Sequence, residues 1–258
     1  MEPGAIRLRG YPIEELIGQV DLTEMAWLLL RGDLPTRAQS RLLQMALVAA
    51  VDHGPQAPSI AAARMAASCG VGLNNAVATG VNLLGDVHGG AGQQCLEWLV
   101  DLADRVDADG LPCADVVADR LGEARARGER VPGFGHRFHP RDPRRDPLVA
   151  AVRDHVAEFG GGRFLRVALE IERQLASDPS RQVPMNIDGA TAVIYAELGF
   201  APELARGLFL LSRSVGILVH SWEERQQGSR IKGPMPPPLL PAYEGPAPRS
   251  VERSALDG

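Results

Sequence analysis

Apolar residues recur along this chain at spacings of three and four, the period of a helix face, and the alternation that strands need is almost absent. Asp21 and Glu24 stand three apart ahead of Met25 and the run Trp27 to Leu30, so a capping box predicts a short buried helix that Gly32 stops. Thr36 caps a second helix, in which Leu43, Ala46, Leu47 and Ala50 recur until the DHGP break at 52–55. Ser59 opens an alanine-rich helix reaching about Cys69. The next, about 75–84, is apolar on most sides, which predicts the middle of a core.

Leu96, Leu99, Leu102 and Val106 predict a helix after the glycines at 89, 90 and 92, and another runs from Pro112 to about Arg127. No period survives across VPGFGHRFHPRDPRRDP at 131–147, which reads as a loop. Helices follow at about 147–159 and 163–176. After the short connection RQVPMN, Asp188 caps a helix reaching Leu198, and Pro202 begins a long one to about Gln226. Seven of the 20 prolines fall between 233 and 258, so this tail is read as extended or partly disordered. The pattern predicts an all-α fold: one unit over 1–232, with a smaller lobe at roughly 95–185, and a proline-rich tail over 233–258.

Charge narrows the partners. With 27 Lys and Arg against 32 Asp and Glu, the net charge is −5, so no overall positive field gathers nucleic acid or an acidic membrane. An anionic ligand must meet a local basic patch, and since Lys232 is the sole lysine that patch is made of arginines. Cys69, Cys95 and Cys113 are odd in number and form no CxxC pair, which argues against a disulfide framework or zinc knuckle and for a reducing cytoplasm. Cys113 is expected to be the most exposed of them. No apolar run approaches the roughly 18 residues of a membrane span, and MEPGAIRLRG lacks the features of a signal peptide.

Four helix junctions carry ionisable groups: Asp52 with His53, His88, His136 with Arg144, and Asp188. Taken singly, each has a structural explanation, a satisfied histidine at a helix end or an aspartate serving as an N-cap. Together they say more. The glycines of GDVHGGAG at 85–92 and GFGH at 133–136 let backbone N–H groups approach a ligand, and Arg137, Arg141, Arg144 and Arg145 form a patch suited to phosphates or carboxylates. Two histidines and a carboxylate beside such loops suffice to polarise a carbonyl, move a proton on oxygen and move one on carbon. The other candidates read as structural. His139 is expected at the surface, and with His136 it lacks a recognisable third metal ligand. His155 belongs on a helix surface, His220 satisfies a hydrogen bond within a helix, and Trp27, Trp98 and Trp222 anchor packing.

Six segments in order, IRLRGYPIEELIGQVDLTEMAWLLLRGDLPT at 6–36, DHG at 52, GDVHGGAG at 85, VPGFGHRFHPRDPR at 131, NIDG at 186 and LFLLSRSVGILVHSWEE at 208, resemble the citrate synthase superfamily over nearly the whole chain. The likeness is greatest to its short forms, the citryl-CoA lyases and the citryl-CoA-cleaving portion of ATP-citrate lyases. The resemblance implies a helical fold of a large and a small lobe, a homodimer, and chemistry on a CoA thioester without a metal or redox cofactor. It implies catalytic roles for Asp188 at the α-carbon, His88 at the thioester oxygen and His136 at the carbinol oxygen. It implies that His53, Arg144 and Arg213 hold the carboxylates of oxaloacetate or citrate. CoA itself would lie along Gly89, Gly90, Ala91, Gly133, Phe134 and Gly135, with Arg137 and Arg181 near its phosphates.

Two departures stand out. The spacing from His136 to Arg144 is one residue shorter than in the family pattern, and Gly233 in RIKGP occupies a place where citrate synthases carry an arginine supplied across the dimer. Lys232 and Arg230 are the candidates to replace it. The resemblance therefore implies citryl-CoA cleavage first, citrate or 2-methylcitrate synthesis as the alternative, and a non-catalytic CoA-binding or partner-binding homologue as the reading of another class.

Overall fold

The computed structural model describes residues 3–137, 139–177, 183–234 and 236–250. A two-residue hairpin, β1 (Arg7–Leu8) and β2 (Tyr11–Pro12), leads into the helical turn α1 (Ile13–Leu16). Then come α2 (Leu22–Arg31), α3 (Arg37–Ala50), α4 (Pro58–Ser68), α5 (Leu73–Asn82), α6 (Ala91–Asp109) and α7 (Cys113–Ala126). After a long loop follow α8 (Arg145–His155), α9 (Arg163–Leu175), α10 (Ile187–Glu197) and α11 (Pro202–Gln227). The all-α expectation holds, and both predicted capping boxes, at Asp21 and Thr36, are formed. Described residues of the tail are exposed, with a single 3-10 turn at Pro237–Leu239.

The central helix is α10. Every residue from Gly189 to Glu197 is buried, because GATAVIYAE is small or apolar on all sides, and α3, α6, α8 and α9 pack around it. Leu96, Leu99 and Leu102 of α6 supply fully buried side chains to the same core, each contributing about 1.5–3 kcal/mol. The sequence assigns the central place to the helix after Gly72 instead, and the structure corrects this. In α5 only Ala76 and Gly80 are buried, and just beyond it Leu83 is 43% exposed. Two other expectations fail similarly: Trp222 is 49% exposed, and Cys69 rather than Cys113 is the exposed cysteine.

A smaller apolar cluster of Ile60, Ala63, Leu84 and Ile217 joins α4, α5 and α11. Gly80 permits this closeness, since a Cβ there would lie 2.8 Å from both the Ile217 methyl and the Ser59 carbonyl oxygen. Among the described residues, no helix is long and apolar enough to cross a membrane.

Glu197 shows how the core positions a neighbour. It is 7% exposed, and its Oε1 accepts the N–H groups of Phe164 and Leu165, each at 3.0 Å. These are first-turn donors of α9 that its own backbone cannot satisfy. Glu197→Ala is expected to lower stability by about 1–3 kcal/mol by leaving buried donors unpaired. A urea midpoint unchanged from the parent would contradict this capping role.

Candidate active site

Arg213 and His53 come together because α11 approaches the end of α3 at backbone distance. A Cβ on Gly216 would lie 2.4 Å from the Val51 carbonyl oxygen. Ser212 donates to the Leu47 carbonyl, and Arg213 Nε donates to that of Ala50 at 3.1 Å. Arg213 is 5% exposed, so its charge is offered to a nearly dry site. Asp52, beside His53, accepts the Gly54 N–H and lies 3.2 Å from His220 Nε2, which gives His220 a partner, at an exposed carboxylate rather than in a buried hydrogen bond.

His88 reaches the site on the loop after α5. The Ser59 amide donates to His88 Nε2 at 3.2 Å, and Ser59 Oγ lies 3.0 Å from the same atom. An amide N–H can only donate, so Nε2 must carry a lone pair and the proton of the neutral ring sits on Nδ1. Burial first, then the Arg213 charge, hold His88 below the ordinary histidine value. It is therefore a neutral donor. The structure moves Ser59 from the expected cap to the first turn of α4, whose N-cap is Ala57, and so gives it this second role.

His136 and Arg144 lie on the loop between α7 and α8, as their segment predicts. The His136 and His53 rings are 5.9 Å apart, and His136 Nδ1 accepts the His139 N–H at 3.1 Å, which leaves the neutral ring's proton on Nε2. Burial lowers His136, against the opposing pull of Asp142. Burial also lowers His53, aided by Arg213, Arg144 and His136. His139 is exposed, with its ring 4.6 Å from that of His136, and no group of three metal-ligating side chains occurs among the described residues.

Asp188 lies in the first turn of α10, but it is not the cap. Asn186 is, with its Oδ1 accepting the N–H groups of Asp188 and Gly189 at 2.9 and 3.2 Å. Relieved of that task, the Asp188 carboxylate is left for chemistry. Burial raises it above the usual carboxylate value, although Arg144 and Arg213 pull the other way. A carboxyl group in such surroundings exchanges a proton more readily near neutral pH than an exposed one.

The loop and α10 close on each other through their backbones. Asn186 N–H donates to Gly133 O at 3.0 Å, Gly135 N–H to Pro184 O at 2.7 Å, and Asn186 Nδ2 to Gly135 O at 2.6 Å. Phe134 pairs with Met185 as an isolated bridge, and its side chain is buried in the core. The Gly135 N–H is thus already spent, and what the glycines of this loop provide is close approach. Gly89 and Gly90 lead into α6 at Ala91, and Gly90 has no room for a side chain against the Asp86 carbonyl. Arg137 is exposed at the loop's edge, and Arg181 lies outside the described residues.

Gly233 has φ +113°, a conformation that side-chain-bearing residues rarely adopt, so an arginine there would be strained as well as absent. Nor is Lys232 available as a replacement. Its Nζ lies 2.7 and 2.8 Å from the two oxygens of Glu224, a fully buried carboxylate that also pairs with Arg64 at 2.6 Å. A separate cavity of about 580 Å³ between α7 and α9, lined by Cys113, Leu165 and Arg166, shares no residue with this site.

A helical core thus brings histidines held below their ordinary value, a desolvated carboxyl group and two arginines to one site. The chain belongs to the citrate synthase family, matching its C-terminal domain over residues 1–42 and 38–234. Among curated relatives, the citrate synthase of Haloferax volcanii is 30% identical over 207 residues, 79% of this chain and 52% of that protein. That of Corynebacterium glutamicum is 30% identical over 75% of this chain and 44% of its own. The chain thus spans about half the length of these curated relatives. Among solved structures, citryl-CoA lyase from Hydrogenobacter thermophilus is similar with a TM-score of 0.83 and 30% identity, covering 99% of this chain and 96% of that one. Citrate synthase from Thermotoga maritima shares the fold at a TM-score of 0.74 and 23% identity, over 97% of this chain and 63% of that one.

The contact between the loop and α10 sets a sharp steric limit. A Cβ at Gly189 would lie 2.4 Å from the Gly133 carbonyl oxygen. Gly189→Ala is expected to force the two apart and cost about 1–3 kcal/mol, with faster hydrogen exchange at the Asn186 amide. Gly122 in α7 meets nothing within 4 Å. There the same change is expected to stabilise by up to about 1 kcal/mol. Equal responses at the two positions would refute the close approach.

Proposed function

We propose that this chain cleaves citryl-CoA to acetyl-CoA and oxaloacetate. The observation that carries the proposal is the pairing of a histidine held as a neutral Nδ1–H donor, His88, with a desolvated acid, Asp188, beside Arg144 and Arg213. In cleavage His136 must first present an Nε2 lone pair, with its ring proton on Nδ1 and the His139 amide released, and Nε2 then takes the carbinol proton as the carbon–carbon bond breaks. The bonding electrons pass to the departing acetyl unit, whose enolate oxygen His88 stabilises, and Asp188 gives its proton to the carbon. The tautomer that the His139 amide holds carries its proton on Nε2 and is the donor that the reverse condensation would use. His53, Arg144 and Arg213 hold the carboxylates, and CoA lies along 89–91 and 133–135 with Arg137 and Arg181 at its phosphates. The lobe at roughly 95–185 carries the His136 loop.

An oxyanion donor is worth about 2.7–4 kcal/mol, so neither His88 nor Asp188 alone accounts for a useful rate. Direction is supported by the nearly complete mutual coverage with a citryl-CoA lyase and by the backbone at Gly233, whose φ an arginine would rarely adopt. Condensation to citrate or 2-methylcitrate is the second reading, supported by curated relatives that are named citrate synthases. Purified protein given citryl-CoA is expected to release oxaloacetate, and Asp188→Ala to reduce that rate about 10²- to 10⁴-fold while CoA-ester binding persists. If thiol appears only from acetyl-CoA plus oxaloacetate, the synthase reading takes over. An Asp188→Ala variant of full activity would defeat both.

We also propose a homodimer. The outer side of α11 exposes Leu211, Val215, Leu218, Val219 and Trp222 at 45–50% each, a continuous apolar stripe at helical spacing. Sedimentation is expected to give twice the 27.6 kDa chain mass, and Leu218→Asp to shift it toward the single chain. A parent protein sedimenting at 27.6 kDa would refute the dimer.

A further inference from the structure

Asp142 has no part in the chemistry described so far, yet it is 1% exposed and lies between the site's two halves. A buried carboxylate is costly unless every lone pair is met. Here all are. Oδ1 accepts the Arg144 backbone N–H at 3.0 Å and Arg144 Nε at 2.9 Å, and Oδ2 accepts Arg144 Nη2 at 2.8 Å and the Ile187 N–H at 3.0 Å. Three of these bonds fix one arginine, and the fourth fixes the residue directly before Asp188.

A guanidinium has two edges that can grip a carboxylate, the side edge Nε/Nη2 and the end edge Nη1/Nη2. Asp142 occupies the side edge, which locks the plane of Arg144 and leaves the end edge for a ligand. We propose that Asp142 is the positioning residue of this site, aiming the end of Arg144 at a substrate carboxylate and holding the His136 loop in register with Asp188. The inference rests on the proposed function, because it assumes that Arg144 grips substrate.

Asp142 also acts on His136, favouring its protonated form against the opposing charges of His139 and Arg144, with the His53 ring close by. Removing its charge withdraws that support from the imidazolium. A purely structural role would leave the titration of His136 where it is.

The test is steady-state kinetics of the full chain with citryl-CoA, and with oxaloacetate as a competing carboxylate, for Asp142→Asn and Asp142→Glu. Asp142→Asn is expected to raise the oxaloacetate inhibition constant and the citryl-CoA KM, and to lower kcat/KM about a hundredfold. Binding of CoA alone is expected to stay within about twofold, and the acid limb of the kcat/KM profile to move to lower pH. Asp142→Glu keeps the charge but displaces the arginine, so the KM is expected to rise with the acid limb unmoved. Combined with Arg144→Gln, Asp142→Asn is expected to add little further loss, since both act on one contact.

A parallel loss of CoA and oxaloacetate affinity in both variants, with unshifted acid limbs, would overturn the proposal. So would additive losses in the double variant. Should Asp142→Asn fail to fold, an Asp142→Glu protein with unchanged KM would overturn it equally. Full activity of Asp188→Ala points instead to failure of the underlying functional reading.

Discussion

The loop at 131–144 lies against the first turn of α10 with only backbone between them, and most of the site depends on that contact. Gly133 and Gly189 are in effect the two faces of one joint: neither tolerates a methyl group, and the hydrogen bonds around them are those of a short antiparallel pair. Because α10 is buried along its length, whatever the loop carries is referenced to the rigid middle of the molecule. His136 and Arg144 therefore inherit a precision that an exposed 14-residue excursion would not otherwise have. Glu172 reinforces the joint from outside, accepting the Met185 N–H at 2.9 Å while pairing with Arg145 at the start of α8.

Charge is distributed with similar economy. The site's cations are held by contacts that consume part of each guanidinium, Arg213 by the Ala50 carbonyl and Arg144 by Asp142, so each is kept in a fixed orientation. The sole lysine is used elsewhere, tying the segment after α11 to Glu224. An anionic substrate would thus enter a field made by preplaced arginines rather than by flexible side chains gathered on binding, which lowers the ordering cost of association.

Helix positions were legible in the sequence because an amphipathic helix writes its buried face as a 3.6-residue period and its ends as caps. The candidate groups were legible because they interrupt that period at glycine-rich junctions. What escaped were relationships between distant segments. Ser59 reads as an ordinary helix opener until its amide is seen on His88, 29 residues away, and Asp142 carries no signal of its own within the loop at 131–147 until both of its oxygens are accounted for. Asn186 could have been weighed, since asparagine and aspartate cap about equally well and a cap at 186 frees the acid at 188. The misplacement of α5 has a different origin: its small apolar residues match a buried helix in composition, but only one of its faces meets the rest of this chain.

The bond from Ser59 to His88 has a consequence for how the protein responds to heat. Ser59 belongs to the first turn of α4, where the amides have no carbonyl of their own helix to bond, and where the helix dipole presents its positive end. That end both points the lone pair of His88 inward and resists a positive charge on the ring. The correct tautomer is thus a property of a single helical turn, and such turns open locally at a lower free energy than the whole molecule unfolds. Loss of that turn would let the ring rotate and choose its proton freely. Inactivation on warming would then begin as fraying at the start of α4, well before the core around α10 gives way.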